Sequence, residues 1–253
     1  MANLNKIMFI MTFLAFGNHT VKNIIGSPYF TFKKILLREE YQKDKKLLKL
    51  LEEKRIIYQI LDNEQFSRHG FPKKNQGVVA FIRDYTYISL SSLLNHQPQR
   101  QYPLLVILDS IEDPHNFGAI LRTCAALKID GVIISKKNQV PVNNTVIKVS
   151  MGGVAWVPVC QVNSLSEVLN ELKKRDYKIV ATICEKSAME YNKLSFNFPT
   201  CLIFGNEHEG IKASLLKKSD YSLYIPVSNN IGSLNVSVSC GIILAKVVSQ
   251  WEN

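Results

Sequence analysis

Residues 104–123 read Leu104-Leu105-Val106-Ile107-Leu108-Asp109-Ser110-Ile111-Glu112-Asp113-Pro114-His115-Asn116-Phe117-Gly118-Ala119-Ile120-Leu121-Arg122-Thr123. An unbroken aliphatic run ending in Asp109 describes a strand buried on both faces, because a half-exposed strand would alternate. A polar turn follows, and Asn116 to Lys128 suits a helix. The same sequence of strand, polar turn and helix recurs downstream. GVIIS (131–135), Val157 to Cys160, YKIVATI (177–183) and CLIF (201–204) read as strands. Ser164 to Arg175 is an amphipathic helix with Ser164 as its N-cap, and a last helix runs from about Leu234 to Trp251. This alternation predicts an α/β fold with a parallel sheet covered on both faces. In such sheets ligands sit beyond the carboxyl ends of the strands.

Upstream the pattern differs. Phe32 to Leu37, Ile56 to Leu61 and Gln76 to Ile82 read as strands, and Lys43 to Lys54 as an amphipathic helix. They describe a small α/β domain reaching about Leu94. His96 to Pro103, polar and bracketed by prolines, reads as a linker. The apolar run Ile7 to Phe16 is preceded by one lysine and is too short to span a membrane. It resembles a signal sequence less than a first strand running into Gly17.

The chain of 253 residues is 46% hydrophobic and 21% charged, ordinary values for a globular protein, and its net charge is +10. That charge favours a polyanion, RNA or DNA, as partner, although a lysine-rich solvated surface gives the same number. Cys124, Cys160, Cys184, Cys201 and Cys240 are scattered and form no Cys-x-x-Cys pair. They suggest neither a zinc site nor a disulfide framework and fit a reducing cytoplasmic setting.

Three segments place unusual polar chemistry straight after an apolar strand: residues 109–123, Phe204 to Gly210 (FGNEHEG), and Ile225 to Ser239 (IPVSNNIGSLNVSVS). The last runs from a strand through Pro226 and an Asn/Gly loop into a helix entered at Ser233. Small hydroxyl and amide residues there lower helix propensity, while free backbone N–H groups suit a polar ligand. In a parallel sheet the three strand ends converge on one crevice. Asp109, Glu112, Asp113 and His115 lack a metal-ligand spacing, and Glu207-His208-Glu209 lacks H-E-x-x-H, so no metal is expected. No dinucleotide-binding Gly motif, P-loop or Gly-x-Ser-x-Gly elbow occurs.

Together, DPHNFGAILRT (113–123), FGNEHEG (204–210) and IPVSNNIGSLNVSVSCGIIL (225–244) resemble, in order, the three motifs of the SpoU/TrmH family of RNA 2′-O-ribose methyltransferases. The likeness extends to Phe16-Gly17-Asn18-His19-Thr20-Val21 and Gln76-Gly77-Val78, similar to the bounds of that family's small RNA-binding domain. Asn229 stands where the family usually has Gly, Cys124 where it has Ala, and Lys246 where an acidic residue is common; Ser239 and Cys240 also depart from its small residues.

The resemblance implies an α/β protein with a trefoil-knotted, parallel-sheet SPOUT methyltransferase domain (104–253). An L30e-like RNA-binding domain (14–95) and a linker (96–103) would precede it. It implies S-adenosylmethionine as cofactor, held by backbone at Gly205, Ile225 and Leu234, and a homodimer. It implies Asn116, Arg122, Glu207, Ser233 and Asn235 as the catalytic set. The substrate implied is a guanosine ribose in 23S rRNA, without metal or membrane. The alternatives are a tRNA guanosine 2′-O-methyltransferase and an RNA-binding ribosome-assembly factor without catalysis.

Overall fold

The computed structural model describes residues 13–96, 98, 100–228 and 230–251. Ile7 to Thr12, the start of the expected first strand, and Asn229 lie outside them. The chain forms two compact units, dividing between Thr86 and Tyr87.

The first unit runs β1 (Phe13–Phe16), α1 (Asn18–Ile25), β2 (Phe30–Arg38), α2 (Lys45–Glu53), β3 (Tyr58–Leu61), α3 (Asn63–Arg68) and β4 (Val78–Tyr85). Its sheet has the order β1-β4-β2-β3, antiparallel except for β2 with β3. Leu47 and Leu51 of α2 and Val21, Ile24 and Ile25 of α1 are buried. Asp44 caps α2 by accepting from Leu47 N at 3.0 Å, and its carboxylate meets Lys22 Nζ of α1 at 2.7 Å. The helix read from Lys43 starts at Lys45, two residues later, because this cap ends a 3₁₀ turn over Glu39–Lys43. The two glycine turns singled out in the sequence meet. Gly17, at φ 89, donates to Asn75 O and Val78 O, and Asn18 N donates to the Gln76 side chain. A side chain at Gly17 would be strained in that backbone conformation.

The second unit contains α4 (Leu90–Leu94), β5 (Leu104–Asp109), α5 (Pro114–Ala126), β6 (Gly131–Ser135), α6 (Asn144–Val149), β7 (Val159–Val162), α7 (Leu165–Lys173), β8 (Lys178–Thr182), β9 (Met189–Glu190), β10 (Thr200–Gly205), α8 (Ala213–Leu216), β11 (Tyr221–Tyr224) and α9 (Val236–Trp251). Residues 87–95, read as the end of the first domain, belong here. Ile88 N bonds Val159 O, and Leu93 is buried in this unit's core. Seven parallel strands take the order β7-β6-β5-β10-β8-β11-β9. Leu105 and Ile107 of β5 pack with Ile203 of β10 and Leu169 and Leu172 of α7 on one face. The alternate residues Leu104, Val106 and Leu108, equally buried, point to the opposite face. Side chains of this size each contribute about 1.5–3 kcal/mol on burial, which is why the predicted strands form a continuous interior. Among the described residues no helix is long and apolar enough to cross a membrane.

Candidate active site

β5 and β10 are neighbours at the centre of the sheet, and the chain order reverses between them: β6 and β7 extend one way, β8 and β11 the other. Their last residues, Asp109 and Gly205, are in register. A crevice forms at such a switch point because connections leave it in opposite directions. Here the chain fastens the two strand ends together. The buried Asp109 carboxylate accepts from Lys212 N at 2.9 Å, from Lys212 Nζ at 3.0 Å and from the Ser110 hydroxyl at 3.2 Å. Asn206 Nδ2 donates to Ser110 O at 2.8 Å, while its Oδ1 accepts from His208 N and Glu209 N. Ser110 takes φ 64, a left-handed conformation uncommon outside glycine. Gly205 is required by space: a Cβ there would lie 2.3 Å from the Gly210 carbonyl carbon. The FGNEHEG loop is thereby folded back over the end of β5.

The three polar segments do converge, through a chain of amides and a carboxylate. Asn116 Nδ2 donates to Glu207 Oε1, and Asn235 Nδ2 donates to Asn116 Oδ1 at 2.9 Å. Asn116 is placed at the start of α5, where Asp113 accepts from His115 N at 2.9 Å and Pro114 occupies the first turn. That start lies two residues ahead of the expected one, and an Asp-Pro pair is the signal for it. Asn235 has a second bonding role: its Oδ1 accepts from Ser237 N at 2.9 Å and from the Ser237 hydroxyl at 2.6 Å. Asn235 is thus the cap, so α9 begins at Val236. The helix expected from Leu234 and entered at Ser233 therefore starts later, and Ser233 and Leu234 stay in the loop with non-helical backbone. Arg122 is exposed nearly two turns along α5, about 9 Å along the axis from Asn116. It makes no bond to that chain of residues.

Beside this chain lies a cavity of about 450 Å³, within the range of small-molecule sites. The FGNEHEG loop with Glu207, Gly232 to Leu234, and Thr182 to Glu185 line it. An adjoining smaller cavity shares Ser233, Leu234 and Thr182 and adds Ile225, Leu223 and Ile243. Gly205, Ile225, Leu234 and Ser233 therefore all line this paired space, with Asn116 and Asn235 bonded at its edge and Arg122 apart. Thr182 to Glu185 escaped the sequence reading. The available signal was their place at the carboxyl end of β8, the strand next to β10.

Among the described residues no group of three His, Cys, Asp or Glu side chains is placed to hold a metal ion. Asp109 and Asp113 are engaged instead by Lys212 and by the α5 N-terminus. Four cysteines are buried and Cys184, at the cavity, is exposed. Burial pushes the Cys160 thiol up to about 11 and raises the Cys201 and Cys240 thiols as well, Cys240 also through its hydrogen bond and charge interaction with Cys124.

Residues 103–245 match the SpoU rRNA methylase family, and residues 14–88 match the RNA 2′-O ribose methyltransferase substrate-binding domain. The chain belongs to the SpoU family of RNA methyltransferases. A tRNA/rRNA methyltransferase of Mycoplasma genitalium, named as uncharacterized, is 40% identical over 212 residues, 83% of this chain and 86% of its own. The fold of this SpoU protein is that of AviRb from Streptomyces viridochromogenes, solved in complex with AdoMet. The TM-score is 0.76 at 22% identity, covering 94% of this chain and 90% of that one. A TrmH/SpoU tRNA modifying enzyme of A. aeolicus aligns at 32% identity and TM-score 0.56 over 61% of this chain and 78% of its own.

Proposed function

We propose that this SpoU protein transfers a methyl group from S-adenosylmethionine to the 2′-hydroxyl of a guanosine in 23S rRNA. The observation that carries the proposal is the bonded chain Glu207–Asn116–Asn235, which joins one residue from each motif at the rim of one cavity. The cavity suits the cofactor. Leu223, Ile225, Leu234 and Ile243 offer an aliphatic wall. Gly232, Ser233 and Leu234 have no hydrogen-bond partner among the described residues, leaving their backbone groups free to hold polar atoms. Glu207 and Glu209 bring negative charge to the rim, the sign that a sulfonium prefers. When bound, the cofactor supplies an electrophilic methyl group.

The chain's own residues have to align and deprotonate a weak nucleophile. Asn116 and Asn235 orient the ribose hydroxyl and Ser233 adds a hydroxyl beside it. Glu207 holds Asn116 in its rotamer. A guanidinium is a poor proton acceptor but a strong donor to phosphate oxygens, so Arg122 serves as a clamp on the neighbouring phosphate. The proton passes to the RNA phosphate or another group of the complex.

The first unit supports a ribosomal substrate, since the family's substrate-binding domain accompanies members acting on large-subunit rRNA. The same reading makes the chain a cytoplasmic homodimer. Exposed Met151 and Trp156, flanking the turn that packs on α5 beside Arg122, support a partner copy there. It also includes threading of the C-terminal segment through a knot. The bond from Asn235, which follows β11 in the chain, to Asn116 of α5 supports that topology.

Purified protein given S-adenosylmethionine labelled on its methyl group is expected to label 23S rRNA. Arg122→Ala is expected to lose transfer while RNA binding largely survives. Label entering only tRNA contradicts the ribosomal assignment, and cofactor binding with no transfer to either RNA favours a non-catalytic binding protein.

A further inference from the structure

The first unit carries a second, separate concentration of unsatisfied chemistry. Between residues 13 and 86 fourteen Lys and Arg stand against eight Asp and Glu. Four of these cations, Lys33, Lys54, Arg55 and Arg83, line one groove of about 340 Å³, together with Phe32 and the 71% exposed Ile57. Among the described residues no acidic side chain lines the groove. All four cations are exposed, and none has an acidic partner among the described residues. The groove lies where β4 ends, away from the Gly17 and Gly77 turns where β4 begins.

The strand pairing explains how two of the cations get there. β2 and β4 pair Thr31 with Asp84, Phe32 with Ile82, and Lys34 with Phe81. The ladder therefore skips Arg83 on one strand and Lys33 on the other. A residue skipped in this way is unpaired and its side chain is re-aimed. Both skipped residues are cations, and both open into the same groove. Lys54 and Arg55 sit at the carboxyl end of α2, Arg55 with φ 53. The helix dipole stabilises cations at that end, which accounts for Lys54 and Arg55 but not for Lys33 and Arg83. Like charges on neighbouring strands repel and cost stability, and the described residues supply no anion to compensate them.

We propose that this groove binds the phosphodiester backbone of the RNA substrate. Lys33 and Arg83 each contact a phosphate, and Phe32 and Ile57 offer apolar surface to an unstacked base. The inference rests on the reading above that the substrate is RNA, and it assigns the residues that grip it.

The test uses the full chain and equilibrium binding to protein-free 23S rRNA and to bulk tRNA across a KCl series. Each lost phosphate contact lowers the slope of log K against log salt by about 0.7–0.9. Lys33→Ala/Arg83→Ala is expected to lower it by about 1.5 and to weaken binding at least about tenfold at moderate salt. Cofactor affinity by calorimetry is expected to be unchanged. Lys45→Ala/Lys46→Ala, removing two exposed lysines outside the groove, is expected to move the slope much less. An unmoved slope on both RNAs, or an equal change in the Lys45/Lys46 variant, overturns the proposal. Lys33→Gln/Arg83→Gln gives the same reading should the alanine variant not fold. Methyl transfer by the unaltered protein is scored on the same RNAs. Normal transfer with an unmoved slope refutes the groove alone, whereas a lowered slope without any transfer refutes the methyltransferase reading and keeps the groove.

Discussion

Two polar clusters stand at the carboxyl ends of the same central strands, and they differ in burial. Asp109 is wholly buried, and Lys212 and Ser110 satisfy it. Asn116, Glu207 and Asn235 form their bonds at the surface, with Glu207 and Asn235 exposed and Asn116 half-buried. A buried carboxylate that loses its partner keeps the full desolvation cost, so the first cluster resists rearrangement. Exposed amides exchange partners at low net cost, so an incoming hydroxyl or phosphate competes for them easily. The first cluster is a fastening, and the second is the surface on which the proposed methyl transfer would act. The fastening holds the FGNEHEG loop where Glu207 reaches Asn116.

Substitutions separate the two. Lys212→Met removes the ion-pair partner of a buried charge, and the half-exposed lysine puts the cost near the low end for buried pairs. A loss of about 3 kcal/mol in unfolding free energy is expected by denaturant titration. A near-zero change means that Asp109 is held by its other bonds and is no fastening. Asn235→Asp keeps the oxygen that caps α9 but removes the amide donor to Asn116 and sets a charge near Glu207. Methyl transfer is expected to fall about a hundredfold, equivalent to about 2.7 kcal/mol, with a melting temperature close to that of the unaltered chain. Parallel losses of stability and activity erase the distinction between the clusters. The smallest effect concerns Cys184. A maleimide reagent on the native chain is expected to modify about one thiol, because the other four are buried. Saturating S-adenosylmethionine is expected to protect it, since Cys184 lines the cavity. Unprotected labelling places the cofactor elsewhere.

Much of the second unit was legible because its strands are continuous aliphatic runs. β5 coincides with LLVILD, and β6 with GVIIS. Element ends were less so, since caps decide them. Asp113-Pro114 starts α5 early, and Asn235 starts α9 late. The short helices α1, α3 and α6 were missed because six to eight residues give too little periodicity. Convergence of the three polar segments followed from the parallel-sheet rule, and the bonds that realise it join residues 91 and 119 positions apart. The pairing of Asp109 with Lys212 was not legible: a lysine 103 residues away in an ordinary loop carries no signal until the sheet brings β5 and β10 together.

The central claim is that this surface acts on a ribose oxygen. The direct measurement is mass spectrometry of nucleosides released from 23S rRNA after incubation with the purified protein and S-adenosylmethionine. The account predicts 2′-O-methylguanosine, rising with enzyme and absent with Asn235→Asp. Methylation on a base, or no new methylated nucleoside in 23S rRNA, would contradict it.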